Sequence, residues 1–140
     1  MAIEIPSWTR DAGLLVLRAS MGSMMLAQHG MPKLLTFSER MDRFPDPLGV
    51  GSPASLALAV VGEVFASGFL ILGLGTRAAA VPFLITMLVA ALVVHAGDPL
   101  SDRELALLYA TGAAALLLLG GGRYSLDELI RRRRSPKRGK

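Results

Sequence analysis

Residues 54–75 read ASLALAVVGEVFASGFLILGLG, an apolar run of 22 residues whose only charge is Glu63. At the helical rise of ~1.5 Å per residue, such a run crosses a bilayer core of ~30 Å. An ionised carboxylate in the middle of a spanning helix is costly unless it faces protein, water or a partner. One or two turns from Glu63 stand Leu56, Ala59, Val60, Ala66, Ser67 and Leu70. Three of these are small, which suits close helix contact in lipid. Glu63 is therefore expected to point into a helix bundle.

Three more apolar runs flank this one, over residues 12–30, 78–95 and 104–120. The first is interrupted by Arg18 and is expected to end at Gly30 and Pro32. The third carries Pro82 in its first turns, where a missing donor does least harm. Tight links at Thr76–Arg77 and Ala96–Asp102 make neighbouring helices antiparallel. Between the first two runs, Leu34, Leu35, Phe37, Met41 and Phe44 recur at helical spacing among Glu39, Arg40, Asp42 and Arg43. That pattern predicts a short amphipathic helix on the membrane surface, followed by a Pro- and Gly-rich loop over 44–53. The expected fold class is all-α: an integral membrane four-helix bundle with a short interfacial helix between helices 1 and 2. The bundle occupies residues 1–130, and residues 131–140 form a basic tail. The first run does not read as a cleaved signal peptide, because little positive charge precedes it and Arg18 breaks it. A faint internal echo links the spans: His29 and His95 close the first and third, and Glu63 and Glu104 stand in the second and fourth.

The composition agrees, with 52% hydrophobic residues in a chain of 140. The net charge of +4 conceals an asymmetry, since eight of the fifteen Lys and Arg residues lie in the last eighteen positions. The rest is slightly acidic, so the basic average implies no nucleic-acid partner. Four spans put both termini and Arg77 on one side, with ten basic residues there against four on the other. This asymmetry predicts cytoplasmic termini, and it depends on the tail, which would also contact anionic lipid. Without cysteine the chain offers no thiolate metal site, Fe–S ligation or disulfide exchange. Two histidines do not make a self-contained haem or multi-metal centre, so no metal site is expected. Met21, Met24, Met25 and Met31 read as packing rather than copper ligands.

With the termini inside, His29, His95 and Glu104 fall at the outer mouth of the bundle. Counted along their helices, Arg18 and Glu63 differ in depth by roughly 7 Å, a gap an extended arginine can bridge. Arg18 and His29 are eleven residues apart and share a helix face. One groove holding Arg18, Glu63, His29, His95 and Glu104 is the site expectation, for ligand binding or proton handling, with no catalytic residue assigned. Each member also has a plain structural reading. Arg18 can snorkel or pair with Glu63 only to register helices. The histidines can cap helix ends, and Glu104 can be a favourable first-turn acid.

The order of these pieces resembles the DoxX family of small four-helix bacterial membrane proteins. The matching pieces are Arg18, His29-Gly30 with Lys33-Leu34, Glu63, Gly73-Leu-Gly75-Thr-Arg77, His95, Glu104 and Gly120-Gly-Gly-Arg123-Tyr-Ser125-Leu-Asp127. They cover roughly residues 12–130, with Gly121 standing where the family usually has proline. The resemblance implies four transmembrane helices in the bacterial cytoplasmic (inner) membrane and a link to the quinone pool. The leading expectation is an accessory subunit or anchor of a quinone-linked redox system, more an accessory than a catalyst alone. It would have a groove for quinone or lipid, no covalent cofactor, and a soluble or membrane redox partner holding the electron-transfer centre. Two alternatives stay open: a small-molecule or ion carrier working as a homo-oligomer, and a purely structural anchor.

Overall fold

The computed structural model describes residues 6–134, and every regular element among them is a helix. Helix α1 runs from Ser7–Met25 through one wide π-type turn, Leu26–Gly30, into Met31–Leu35. A single turn, α2 (Phe37–Arg40), leads into an irregular loop. Helices α3 (Ser52–Leu72) and α4 (Thr76–Val94) follow, each with a wide turn of its own at Val61–Phe65 and Ala90–Val94. Helix α5 is Leu100–Leu119 and α6 is Leu126–Arg134.

The four long helices pack in a ring, α1 on α3 and α5, and α4 on α3 and α5. Their shared core holds Leu14, Met21 and Met25 of α1, Ala66 and Leu70 of α3, Ala80, Phe83 and Met87 of α4, and Tyr109, Ala113 and Leu116 of α5. Small residues set the spacing. A Cβ on Gly22 would stand 3.0 Å from the Ser67 carbonyl oxygen, and one on Gly62 would collide with Thr86. The outward faces are apolar too, with Val16 and Met24, Leu58 and Phe65, Ile85 and Leu92, and Leu108 and Leu118 all exposed. Apolar residues both inside and outside suit a lipid surround better than water. Among the described residues, α3 and α4 are the helices long and apolar enough to cross a membrane, with mean hydropathies of 2.1 and 2.2. Charged ends on α1 (Arg10, Asp11) and α5 (Asp102, Arg103, Glu104) shorten their apolar stretches.

Several boundaries differ from the sequence expectation. Helix α1 does not end at Gly30 and Pro32. The Met31 N–H donates to the Leu26 carbonyl, five residues back, and this wider turn relieves the crowding that a proline ring causes in a regular helix. Pro82 lies in the second turn of α4, because that helix already begins at Thr76. The surface segment after α1 is two short pieces broken at Thr36, not one helix over 33–44. Its loop is tied to α3 by Asp46, which accepts from the Val50 and Gly51 N–H groups (3.0 and 2.8 Å) and from Ser55 Oγ (2.6 Å). These bonds, that from Ser55 foremost, hold the Asp46 carboxyl below its ordinary pKa. Helix α5 starts at Leu100, so Glu104 stands past its first turn. Helix α6 runs across residue 131, where the tail was expected to begin, and residues 135–140 of that tail lie outside the described residues.

Candidate functional site

Polar side chains gather at the two ends of the ring. At the end where α1 and α4 begin and α3 and α5 end, Arg18 is 1% exposed and enclosed by backbone carbonyls. Its Nε donates to Gly121 O (3.3 Å), Nη1 to Leu70 O (3.1 Å) and Ile71 O, and Nη2 to Tyr124 O (2.6 Å). Leu70 and Ile71 belong to the last turn of α3, whose carbonyls carry the negative end of the helix dipole, and that of Leu70 also accepts from the Gly73 N–H at 3.1 Å. Gly73 ends that helix in the left-handed region (φ +66), and a Cβ there would stand 2.9 Å from Arg18 Cζ. Asp127 then caps α4, accepting from the Gly75 and Thr76 N–H groups at 2.6 and 2.8 Å. Asp11 accepts from the Arg123 N–H at 3.1 Å. The Gly73–Arg77 and Gly120–Asp127 segments thus form one knot around Arg18.

Arg18 therefore does not meet Glu63, contrary to the depth argument. The carboxyl end of α3 presents carbonyls within its reach, and a fork of five donors is matched better by several fixed acceptors than by one carboxylate.

Glu63 meets Lys33 instead, at the opposite end. Lys33 Nζ donates to Glu63 Oε2 at 2.5 Å, with side chains 20% and 8% exposed. The continued helix makes this pair. At Gly30 the α1 and α3 backbones touch, since a Cβ there would stand 2.6 Å from the Glu63 carbonyl oxygen. Lys33, nearly one turn further, then reaches over to Glu63. The pair borders a cavity of about 190 Å³ lined also by Met25, His29, Met87, His95, Asp102 and Tyr109. The His29 ring stands edge-on to Tyr109, with centroids 6.4 Å apart, and Tyr109 packs edge-on to Phe83 at 6.0 Å. His95 Nδ1 lies 2.7 Å from Asp98 Oδ2 on the more exposed side.

Of the five residues expected in one groove, the cavity brings together His29, Glu63 and His95. Arg18 sits in the other end's knot, and Glu104 is exposed and outside the lining. Sequence reasoning missed Lys33, Tyr109 and Asp102. Lys33 carried a readable signal, since it lies four residues after His29 and so on the same helix face if the helix continues. Tyr109 is the one aromatic residue of α5 and an expensive hydroxyl to bury without purpose. Chemically, the cavity combines an ammonium donor, a carboxylate and an imidazole, groups able to donate a hydrogen bond to an oxygen and to exchange protons. Among the described residues no group of three or more His, Asp or Glu is placed to hold a metal ion.

The family model for DoxX matches residues 13–96, which include Arg18, His29, Lys33, Glu63 and His95, and the chain belongs to the DoxX family. No curated protein and no solved structure matches it. Family membership, with two helices of spanning length, marks a membrane protein.

Proposed function

With DoxX membership as premise, we propose that all four long helices cross the bacterial inner membrane, with both termini cytoplasmic and the residues between α1 and α3 forming an outer interfacial segment. The chain serves as an accessory subunit of a quinone-linked redox system, and its outer cavity takes the headgroup of a quinone. The observation that carries this reading is the Lys33–Glu63 pair, secluded from solvent yet bordering a cavity beside His29 and Tyr109. An ion pair away from water repays its desolvation poorly as a mere fastener, whereas a partly solvated one at a cavity can exchange partners. Lys33 donates a hydrogen bond to a quinone carbonyl, while Glu63 and His29 pass the protons that accompany two-electron reduction to the quinol. The electrons come from a partner, since this chain has no cysteine for an Fe–S centre.

The test starts from full chain purified gently from its native membrane. Lipid extraction, a visible spectrum and mass identification of co-purifying proteins are compared for wild type, Lys33→Met and Glu63→Gln. Stoichiometric quinone, lost in Lys33→Met while the helix content is kept, is the expected result. Bulk lipid alone with no redox partner overturns the proposal and directs attention to flux assays for a carrier. Full partner-enzyme activity with Glu63→Gln leaves only an anchoring role. A reporter fused to the tail checks the orientation, and an extracellular tail refutes it.

A further inference from the structure

The Arg18 knot has an outer wall. A second, larger cavity of about 610 Å³ opens at the same end of the ring, bordered by Arg10, Arg77, Arg123, Arg131 and Arg132. These five arginines come from the start of α1, the start of α4, the turn after α5, and α6. Three carboxylates also border it, and each is occupied. Asp127 caps the first N–H groups of α4, Asp11 accepts from the Arg123 backbone, and Glu128 holds Arg131 through two nitrogens and Arg132 through Nε. Guanidinium donors remain. Arg77 spends only Nη2, on Leu118 O at 3.1 Å. Among the described residues the Arg123 side chain makes no ion pair, and Arg10 stands 3.8 Å from Asp11. Converging planar forks with spare N–H groups match the oxygens of a phosphate.

What lies beside the arginines narrows the ligand further. Val81, one turn along α4 from Arg77, is exposed, and Leu118 and Leu119 at the end of α5 are 76% and 57% exposed. A ligand seated here meets arginines at one level and bare aliphatic side chains at the next. We propose that this cavity is a binding site for an anionic phospholipid, with the phosphate headgroup held by Arg77 and Arg123 and the acyl chains lying along α4 and α5. The site is separate from the quinone cavity, and it rests on the reading above that α5 as well as α4 crosses the membrane.

The experiment uses the full chain in nanodiscs of mixed phosphatidylglycerol and phosphatidylcholine, at an ionic strength high enough to screen diffuse attraction. Lipid retained after mild delipidation is counted by native mass spectrometry. Wild type is expected to retain phosphatidylglycerol selectively, and each arginine removed lowers that preference by roughly fivefold. Arg123→Gln is the first variant, because it breaks no side-chain bond of the fold. Arg77→Gln is the second, and Arg133→Gln, outside the cavity lining, is the control that should change nothing. Equal retention in wild type and Arg123→Gln overturns the site, as does equal loss with Arg133→Gln. Inorganic phosphate in detergent solution separates the other source of the same chemistry. If it protects the cavity from arginine-directed labelling while no phosphatidylglycerol is retained, the ligand is a free phosphate and the lipid proposal fails.

Discussion

The two ends of the ring hold a cation in opposite ways, Arg18 fully buried and Lys33 half-buried. At the end where α1 begins and α5 ends, Arg18 gives its hydrogen bonds to backbone carbonyls that cannot move without unwinding α3 or the turn after α5. At the loop end, Lys33 meets one side chain, Glu63, beside a cavity. A charge satisfied by fixed backbone is committed to the fold. A charge satisfied by a side chain at a void can change partner, which is what binding or proton transfer requires. The sequence expectation had placed Arg18 and Glu63 in one site. The contrast in their partners assigns one to architecture and leaves the other as a candidate for chemistry.

The sharpest way to break this contrast is Arg18→Met. It strands several buried carbonyls at once, and the expected loss is on the order of 3 to 5 kcal/mol, enough to deplete the protein in the membrane. Arg18→Lys should recover little, because one ammonium cannot serve carbonyls on both sides of the turn. Reversible unfolding in denaturing detergent measures both. A mild effect would mean that Arg18 is as replaceable as a surface charge.

At the other end, Lys33→Met or Glu63→Gln alone should each cost about 3 kcal/mol, by leaving a poorly solvated partner. The double variant should regain much of that, and a double-mutant cycle with coupling of about 1 to 3 kcal/mol confirms a direct pair. If the double variant is stable and still retains quinone, the pair is neither fastener nor site.

Gly30→Ala sharpens the comparison from the backbone side. The added methyl must push α1 from α3 at the Glu63 carbonyl, for an expected cost of about 1 to 3 kcal/mol. Gly13→Ala, where nothing lies within 4 Å, should instead be neutral or slightly stabilising.

The smallest effect belongs to α6. Hydrogen bonds from Arg131 and Arg132 hold the Glu128 carboxyl down at about 2. A depressed carboxyl contributes its stability above its unfolded value near 4.5, and that contribution is lost as pH falls toward about 2. The order of α6, followed by amide exchange, should therefore hold from neutral pH down to about 4.5 and weaken below it, and it should do so less steeply in high salt.

Much of the helical plan was legible from runs of apolar residues broken by Gly, Pro and Asp, because helix length and burial follow composition over many residues. The inward aim of Glu63 was legible for the same reason, since one charge in a long apolar helix has few tolerable directions. Lys33 was hidden by Pro32, which usually ends a helix. One wide turn at Leu26–Gly30 carries the helix through, and that turn depends on the contact of Gly30 with α3 as well as on local preference. The knot around Arg18 was legible only as scattered glycine-rich pieces, which meet across a separation of more than a hundred residues.

The sequence alone settled that the chain is helical, that two of its apolar runs are long enough for a bilayer, and that two charges stand inside apolar runs. These are properties of local composition and of the cost of charge in an apolar surround. Only the tertiary structure decided which partner each charge finds. Helix rotation, a turn one residue wider, and the close approach permitted by a single glycine move a side chain's reach by several ångströms, and that distance separates Arg18 among carbonyls from Lys33 on Glu63.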